Sequence, residues 1–401
     1  MSSLAIFGGA PVRNRPFARW PVFDESEKHA LEEVLESGVW GGYHPKVAEF
    51  EKTFAHLHGA AHGIATANGT VSLEAALSAA GIGPGDEVIV PPITFIATAA
   101  AVLRVGAIPV FADIGQDYNL DPARLRDAIT TRTRAVIPVH FAGRPADMDA
   151  VGAIAADHRL TVIEDAAHAH GASWKGRKVG SFGDLASFSF QQSKNVTAGE
   201  GGILIGNDPV LAESARSVCN QGRRTGGAWY EHVRLGTNYR MTGWQAAILL
   251  VQLSRLEEQL RHRAETARIL DERLAGFEFL QPHSPDRRVT CHSYYLYMIR
   301  LRPDRLSGIS RDLFMKALAA EGIPGIGGYP YPLYGNQVFD QANHRRLDCP
   351  EAERMCRECF WVSHEIMLSA PDDLNDFIRA IAKVGEHSAE LARSQEISHR
   401  A

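Results

Sequence analysis

The sequence contains no apolar segment that approaches the length of a membrane span, and its amino terminus lacks the basic region and long apolar stretch of a signal peptide. The formal net charge is only −5 over 401 residues, and no run of basic residues stands out. These absences give no reason to expect a nucleic acid or a membrane as partner. They predict a cytoplasmic protein.

Cysteine is also scarce, with five residues in the chain. A small, odd number in a long sequence argues against a disulfide framework. Cys349, Cys356 and Cys359, with His364 close by, raise the question of a zinc site. Their spacing matches no familiar zinc pattern and suits apolar positions on a helix, so we expect no bound metal.

What the sequence does contain is a regular alternation of strand and helix patterns. Strands are predicted at 62–67, 87–90, 108–112, 135–139 and 161–164, and helices at 70–80, 95–105, 121–129 and 147–158. Such a rhythm predicts an α/β fold, in which a mostly parallel sheet is covered by helices in three α/β/α layers. With 45% hydrophobic and 22% charged residues, the chain is long enough for two domains.

The domain organisation follows from composition and pattern. Residues 1–23 are rich in proline, arginine and glycine and are expected to form an arm that lies over another part of the molecule. Residues 24–255 are predicted to form the large domain. A long helix at about 241–274 then leads into a smaller C-terminal α/β domain, residues 256–401.

A lone lysine, Lys194, stands where a strand-like run gives way to a glycine-rich turn. Residues 185–190 alternate serine with apolar side chains, and residues 199–205 lead into a second strand, so Lys194 lies between two strands. Desolvation depresses the pKa of a lysine near a core, and carbonyl chemistry needs a neutral amine. Lys194 is therefore a candidate Schiff-base lysine. The alternative is a loop lysine whose amine reaches solvent.

A carboxylate and a histidine end another apolar run, at residues 161–168 (Thr-Val-Ile-Glu-Asp-Ala-Ala-His). Open α/β sheets bind ligands at the C-terminal ends of parallel strands, so we expect Asp165 in the same crevice as Lys194. An aspartate there can keep the ring nitrogen of pyridoxal phosphate (PLP) protonated, which lets the cofactor act as an electron sink. Alternatively, Asp165 caps the next turn, and His168 is a satisfied, half-buried histidine.

Two further strand ends carry candidate residues. Gly69 and Thr70 lie between a predicted strand and a predicted helix. Glycine lets the backbone approach a ligand closely, and the amides at a helix N-terminus suit a phosphate, so these two residues are the predicted phosphate site. Phe95 follows another strand, where it can stack on a pyridine ring or can be an ordinary core phenylalanine.

Two long motifs resemble those of the DegT/StrS family of PLP-dependent sugar and cyclitol aminotransferases. They are residues 164–171 (Glu-Asp-Ala-Ala-His-Ala-His-Gly) and 189–202 (Ser-Phe-Gln-Gln-Ser-Lys-Asn-Val-Thr-Ala-Gly-Glu-Gly-Gly). The resemblance covers about residues 20–334 and is specific, because both motifs stand in the right order at a suitable spacing. It implies PLP transferase fold type I, and transfer of an amino group from glutamine or glutamate to a keto-sugar or keto-cyclitol.

The resemblance also implies roles for the candidate catalytic residues. Lys194 would hold PLP, Asp165 would pair with the ring nitrogen, and His168, where many relatives have glutamine, would contact the phenolic oxygen. Once the amino donor has displaced it, the amine of Lys194 would move a proton from the α-carbon of the donor to the cofactor.

The remaining cofactor contacts are implied in the same way. Gly69, Thr70 and Ser189 would bind the phosphate, and Phe95 would stack on the ring. Residues 236–242 (Gly-Thr-Asn-Tyr-Arg-Met-Thr) resemble a family motif whose asparagine reaches the phosphate of the neighbouring subunit. If Asn238 does the same, the working unit is a homodimer with composite active sites.

Two details favour a cyclitol or other small ketone as acceptor. Gln191 and Ala198 resemble the cyclitol aminotransferases and the 3-amino-5-hydroxybenzoate synthases more than the nucleotide-sugar members. Residues 329–334 offer tyrosines where nucleotide-sugar relatives often have histidine. The open alternatives are a dehydratase or aromatase of the 3-amino-5-hydroxybenzoate synthase type, a nucleotide-sugar aminotransferase, and a non-catalytic protein on the same scaffold, which the intact set of site residues argues against.

Overall fold

The computed structural model describes residues 3–282 and 285–400. Its helices are α1 (Glu25–Ser37), α2 (Pro45–Leu57), α3 (Gly69–Ala79), α4 (Ala97–Arg104), α5 (Pro122–Ala128), α6 (Met148–His158), α7 (Pro209–Cys219), α8 (Gly243–Leu274), α9 (Arg311–Ala320), α10 (Val338–Gln341), α11 (Pro350–Glu358), α12 (His364–Met367), α13 (Pro371–Glu386) and α14 (Ser388–Arg400). Its strands are β1 (His62–Thr66), β2 (Glu87–Val90), β3 (Ile108–Phe111), β4 (Thr133–Val136), β5 (Thr161–Asp165), β6 (Ser173–Trp174), β7 (Arg177–Lys178), β8 (Leu185–Ser189), β9 (Gly202–Gly206), β10 (Leu280–Pro282), β11 (Val289–Cys291), β12 (Tyr297–Leu301), β13 (Ile326–Gly327), β14 (Arg345–Arg346) and β15 (Cys359–Val362).

The main sheet has the strand order β1-β9-β8-β5-β4-β2-β3-β14. The pairs from β8 to β14 are parallel, whereas β9 pairs antiparallel with both β8 and β1. Helices cover the sheet, which confirms the predicted α/β fold with a mostly parallel sheet. In the described part of the chain, no helix is both long enough and apolar enough to cross a membrane.

Most predicted boundaries lie within one or two residues of the observed ones, and two differences bear on the site. The strand predicted at 135–139 is β4, which ends at Val136, because Pro138 has no N–H to donate to a ladder. The helix predicted to start at Phe95 starts two residues later, at Ala97, so Phe95 lies on the connection before α4.

Strand β8, which leads to Lys194, is buried along its whole length. Its serines face helix α3, since the hydroxyl of Ser187 donates to the carbonyl of Gly69 at 3.3 Å. Asn68 caps the same helix, because its Oδ1 accepts a hydrogen bond from the N–H of Val71 at 3.0 Å. The N-terminus of α3 is therefore fixed directly over the end of β8.

A second, antiparallel sheet, β10-β12-β15-β13, forms in the C-terminal region. It has its own core with α8, α9 and α13, to which Leu270, Phe314, Phe360 and Phe377 contribute. The C-terminal region also returns to the main sheet, where β14 pairs with β3. We propose the division into an arm (1–23), a large domain (24–255) and a small domain (256–401), with α8 crossing the boundary.

The amino-terminal segment lies against the C-terminal region. Leu4 is buried in the core of the second sheet. The buried guanidinium of Arg13 forms ion pairs of 2.7 Å with both Asp373 and Asp376. From there the chain continues to Trp20, which lies beside the turn that carries Lys194.

Candidate active site

A cavity of about 790 Å³ opens at the carboxyl ends of β5 and β8, where the sequence predicted the ligand crevice. Its lining includes all the predicted site residues except Asn238. The described lining residues are Asn68, Gly69, Thr70, Val71, Leu73, Thr94, Phe95, Ala97, Val139, Asp165, Ala167, His168, Ser189, Gln191, Ser193, Lys194, Glu200, Tyr295, Leu296, Tyr329 and Trp361.

Lys194 lies on the turn between β8 and β9, as predicted. Its N–H donates to the carbonyl of Gln191 at 2.8 Å, which closes the turn. The side chain is half-buried, and Nζ lies 4.6 Å from the centroid of the Tyr295 ring. The amine therefore lies in the cavity, which argues against the loop alternative.

Asp165 ends β5 and faces the cavity, while the neighbouring Glu164 points to the opposite face of the strand, as side chains in a strand alternate. Oδ2 of Asp165 accepts a hydrogen bond of 2.7 Å from the hydroxyl of Thr98, and Oδ1 accepts one of 3.2 Å from the N–H of Ala167. Asp165 thus also caps the following turn, so the two roles weighed for it are compatible. Burial raises the pKa of Asp165, and the hydrogen bond from Thr98 is the main opposing effect.

His168 is buried and is stacked on Tyr295, with ring centroids 4.2 Å apart. Burial, with a smaller effect of Lys194, holds the pKa of His168 well below its usual value, so the ring is neutral. Its buried Nδ1 has no hydrogen-bond partner within the described residues. The prediction of a satisfied histidine is therefore not met, and the ring is available to a ligand.

The N-terminus of α3 forms one end of the cavity. A Cβ on Gly69 would lie 2.7 Å from Cβ of Ser189, so only glycine allows the helix to come this close to β8. The close approach brings Gly69 and Thr70, at the start of α3, next to Ser189 in the lining of the cavity. Exposed amides at a helix N-terminus together with hydroxyls suit a phosphate group.

Phe95 is 60% exposed in the single chain and lines the cavity. The alternative of an ordinary core phenylalanine is therefore wrong. Its ring is free to lie against the face of a bound aromatic group.

Asn238 lies outside this cavity. It is exposed, and its Oδ1 accepts a hydrogen bond of 3.3 Å from the N–H of Arg240. It ends the segment 221–238, whose large apolar side chains include Trp229, 77% exposed, and Leu235, 96% exposed. Within one chain, this segment does not contribute to the site.

Sequence reasoning missed three residues of the site and its support. Thr98 donates a hydrogen bond to Asp165. Tyr295 contacts both His168 and Lys194, and Trp361, on β15, lines the cavity. Tyr295 and Trp361 come from the C-terminal region, and no motif connects them to Lys194. For Thr98, the helical spacing of four from Thr94, whose hydroxyl lies 2.8 Å away, was a usable signal.

The cysteines noted in the sequence are buried as free thiols near β15 and α11. Cys349 donates to the carbonyl of Leu347 at 3.2 Å, and Cys359 donates to the hydroxyl of Tyr118 at 3.8 Å. Among the described residues, no group of three histidine, cysteine or acidic side chains is arranged to hold a metal ion.

The groups in the cavity fit PLP. Lys194 offers an amine for an aldehyde, and Asp165 offers a buried carboxylate for a ring nitrogen. His168 has an unused buried nitrogen. The close approach at Gly69 leaves a cradle of amides and hydroxyls for a phosphate. The cavity of about 790 Å³ has room for the cofactor together with a small substrate.

Comparison with known proteins gives a consistent result. A sequence model of the DegT/DnrJ/EryC1/StrS aminotransferase family matches residues 21–381. A protein of Streptoalloteichus tenebrarius, named as a candidate L-glutamine:3-amino-2,3-dideoxy-scyllo-inosose aminotransferase, is 40% identical, with 96% of this chain and 98% of the relative covered. The 3-amino-5-hydroxybenzoate synthase of Amycolatopsis mediterranei is 37% identical, with 91% of this chain and 96% of the relative covered. A crystal structure of 3-amino-5-hydroxybenzoic acid synthase has a TM-score of 0.87 at 35% identity, covering 93% of this chain and 99% of that one.

Proposed function

We propose that this chain, which belongs to the DegT/DnrJ/EryC1/StrS aminotransferase family and is a PLP-dependent aminotransferase, transfers the amino group of glutamine to the ketone of a small cyclitol. The observation that carries the catalytic part is that Lys194, on the turn after β8, and Asp165, at the end of the adjacent strand β5, line one cavity, with the N-terminus of α3 at its end.

PLP, when bound, supplies an electrophilic carbon and a ring that stores the electrons released at the α-carbon of the donor. The amine of Lys194 would attach the cofactor, and Nζ, once free, would move a proton from the α-carbon of the donor to the cofactor. Asp165, whose Oδ2 accepts a hydrogen bond from Thr98, would keep a proton on the ring nitrogen.

The remaining lining residues orient the cofactor. Gly69, Thr70 and Ser189 would hold the phosphate and so restrain the ring near Lys194. Phe95 would cover one face of the ring. Neutral His168 can donate a hydrogen bond to the phenolic oxygen, because one nitrogen of a neutral imidazole carries a proton.

The acceptor side of the cavity supports a small, unphosphorylated ketone. Tyr329, Trp361 and Phe95 line it, and burial raises the pKa of Tyr329, which keeps its hydroxyl neutral. In the described lining, Lys194 is the one lysine or arginine, and Asp165 and Glu200 are the acidic residues. Two phosphates of a nucleotide sugar would need several cationic partners, whereas hydroxyl groups of a cyclitol can bind neutral aromatic and polar side chains.

An acceptor screen with the purified protein tests this proposal. Inososes, simple ketoses and nucleotide ketosugars are each incubated with glutamine or glutamate, and products are identified by mass. We expect an amino-cyclitol from glutamine and an inosose. Turnover confined to nucleotide ketosugars would contradict the acceptor assignment and would point to Arg223 and Arg224, which lie on the exposed segment 221–238.

A second candidate is elimination of the 3-amino-5-hydroxybenzoate synthase type, favoured by 37% identity to such an enzyme. The same screen separates the two, because an eliminated product lacks one water relative to its acceptor, whereas a transferred amino group replaces the ketone oxygen.

We further propose a homodimer in which Asn238 completes the phosphate site of the partner. The segment 221–238 exposes Trp229, Tyr230 and Leu235, with the rings of Trp229 and Tyr230 stacked, and large exposed apolar side chains of this kind are typical of protein interfaces. We propose that a second copy of this chain covers the segment, because Asn238 is exposed at its end and does not line the cavity of its own chain.

Mixing inactive variants tests the shared site. Heterodimers of Lys194→Ala and Asn238→Asp chains have one site with both defects and one site with neither, so about one quarter of wild-type activity should return after full exchange. The matched control mixes Lys194→Ala with Asp165→Asn. Both of these residues lie in one cavity, so no intact site can form. Absence of rescue in the first mixture, with exchange confirmed by native mass spectrometry, would mean that Asn238 acts within its own chain.

A further inference from the structure

The turn that carries Lys194 is held by side chains from distant parts of the chain. The carbonyl of Gln192 accepts a hydrogen bond of 2.8 Å from Nε1 of Trp20, on the amino-terminal segment. The carbonyl of Ser193 accepts one of 2.6 Å from Nε2 of His364, at the start of α12. The two carbonyls that immediately precede the lysine are therefore fixed from outside the main sheet.

The protonation of His364 follows from its two partners. Nη2 of Arg263 lies 2.6 Å from Nδ1 of His364. Because a guanidinium can only donate, Nδ1 must be the acceptor, and the ring proton is on Nε2, where it points at the carbonyl of Ser193. Trp20 stacks on the ring, with centroids 4.1 Å apart and planes 5° from parallel. The orientation of His364 is thus fixed along its edge and on its face.

Arg263 itself is unusual. It is fully buried, and in the part of the chain that the structure describes no carboxylate forms an ion pair with it. Its Nη1 donates to the carbonyl of Tyr294 at 3.1 Å, and its guanidinium carbon lies 5.7 Å from the centroid of the Trp20 ring. Burying a cation without a counter-charge costs stability, so its presence calls for a function. The bond to His364 supplies one, because it selects the tautomer that can donate to Ser193.

We propose that His364, oriented by Arg263 and Trp20, is a positioning residue for Lys194. His364 fixes the carbonyl of Ser193, and this orients the side chain of Lys194 so that it passes over the Tyr295 ring into the cavity. The proposal rests on the proposed attachment of PLP to Lys194. It makes the placement of the reactive amine depend on α12 and on the amino-terminal segment, both of which lie outside the main sheet.

Two substitutions separate the two hydrogen bonds of His364. Glutamine at this position can reach Ser193 with its amide N–H, in the place of Nε2. Asparagine can accept from Arg263 with its oxygen, in the place of Nδ1, but is too short to reach Ser193. If the bond to Ser193 positions Lys194, His364→Gln retains the function and His364→Asn loses it.

The experiment measures how fast PLP attaches to each apo-protein. Samples are quenched with borohydride at successive times, and the labelled peptide is quantified by mass spectrometry. We expect attachment to Lys194 to be about 10- to 100-fold slower in His364→Asn and within about threefold of wild type in His364→Gln. His58→Gln is the matched control, since His58 is equally buried and binds the carbonyl of Val179 at 2.7 Å away from the cavity. It should lower the melting temperature without slowing attachment.

Trp20→Phe keeps the proposal testable if a substitution at His364 prevents folding. Phenylalanine retains a ring for stacking but cannot donate to Gln192, and we expect a slowing of about threefold to tenfold. Attachment at the wild-type rate in His364→Asn, or equal slowing in His58→Gln, overturns the positioning role while leaving the lysine assignment intact. Labelling of another lysine in the wild-type protein overturns both.

Discussion

The hydroxyl of Thr98 offers the sharpest test of how the electrostatics of the site are built. An ionised Asp165 can only accept, so Thr98 must donate its proton to Oδ2, at 2.7 Å. The oxygen of Thr98 then accepts from the hydroxyl of Thr94, at 2.8 Å. The two hydroxyls form a directed chain that ends on the carboxylate and stabilises its negative charge.

The substitution Thr98→Val removes this donor at almost constant volume. A hydrogen bond to a charged group contributes about 1.5–3 kcal/mol, and the N–H of Ala167 remains as the second donor. Burial already raises the pKa of Asp165, and loss of the main opposing contact raises it further, which weakens the anion that faces the ring nitrogen. At about 1.4 kcal/mol per tenfold change, we expect amino transfer from glutamine to slow by about 10- to 100-fold.

The assay is a single-turnover reaction with glutamine, followed through the absorbance of the bound cofactor. Thr98→Ser keeps the hydroxyl and loses one methyl group, so it should react within about threefold of wild type. A wild-type rate in Thr98→Val would refute the electrostatic reasoning. Equal slowing in the valine and serine variants would show that shape, and not the donated hydrogen bond, is what matters at this position.

Three other outcomes are expected. Lys194→Ala should fold but lose both the borohydride-trapped label and amino transfer, and a label on a different lysine in the wild-type protein would contradict the assignment. Asp165→Asn should keep part of its cofactor and lose about 100- to 1,000-fold in rate, on the scale of roughly 3 kcal/mol for a preorganised electrostatic partner, whereas near-normal turnover would contradict this role. Burial lowers the pKa of His58 to about 4 and that of His170 to about 3, from a usual value of 6.5. Between pH 6.5 and 4 the unfolded chain therefore binds protons that the folded chain does not. The free energy of unfolding should therefore decrease as the pH is lowered from 6.5 to 4, by about 3 kcal/mol for His58 alone. His58→Gln should show a shallower pH dependence in denaturant titrations at pH 7 and 5.

The sequence was most informative where chemistry follows a strand end. Lys194 and Asp165 could be placed in one crevice because each directly follows an apolar run, and the rule for parallel sheets brings such ends together. Tyr295 could not be placed in this way. It lies on the approach to β12, about a hundred residues after Lys194, and reaches the cavity only because the second sheet docks beside the first. That docking depends on the packing of two separate cores, which no local pattern encodes.

The different supports of Asp165 and Lys194 suit their different proposed tasks. Asp165 must keep one position throughout the reaction, and both of its backbone groups are bonded to the neighbouring segment: its N–H donates to the carbonyl of Pro138 at 2.9 Å, and its carbonyl accepts from the N–H of His140 at 3.0 Å. Lys194 must alternate between an attached and a free amine, and it lies on a turn whose preceding carbonyls are held by Trp20 and His364. The main sheet therefore fixes the position of the Asp165 carboxylate. Contacts from outside the sheet position the amine of Lys194, which has to move.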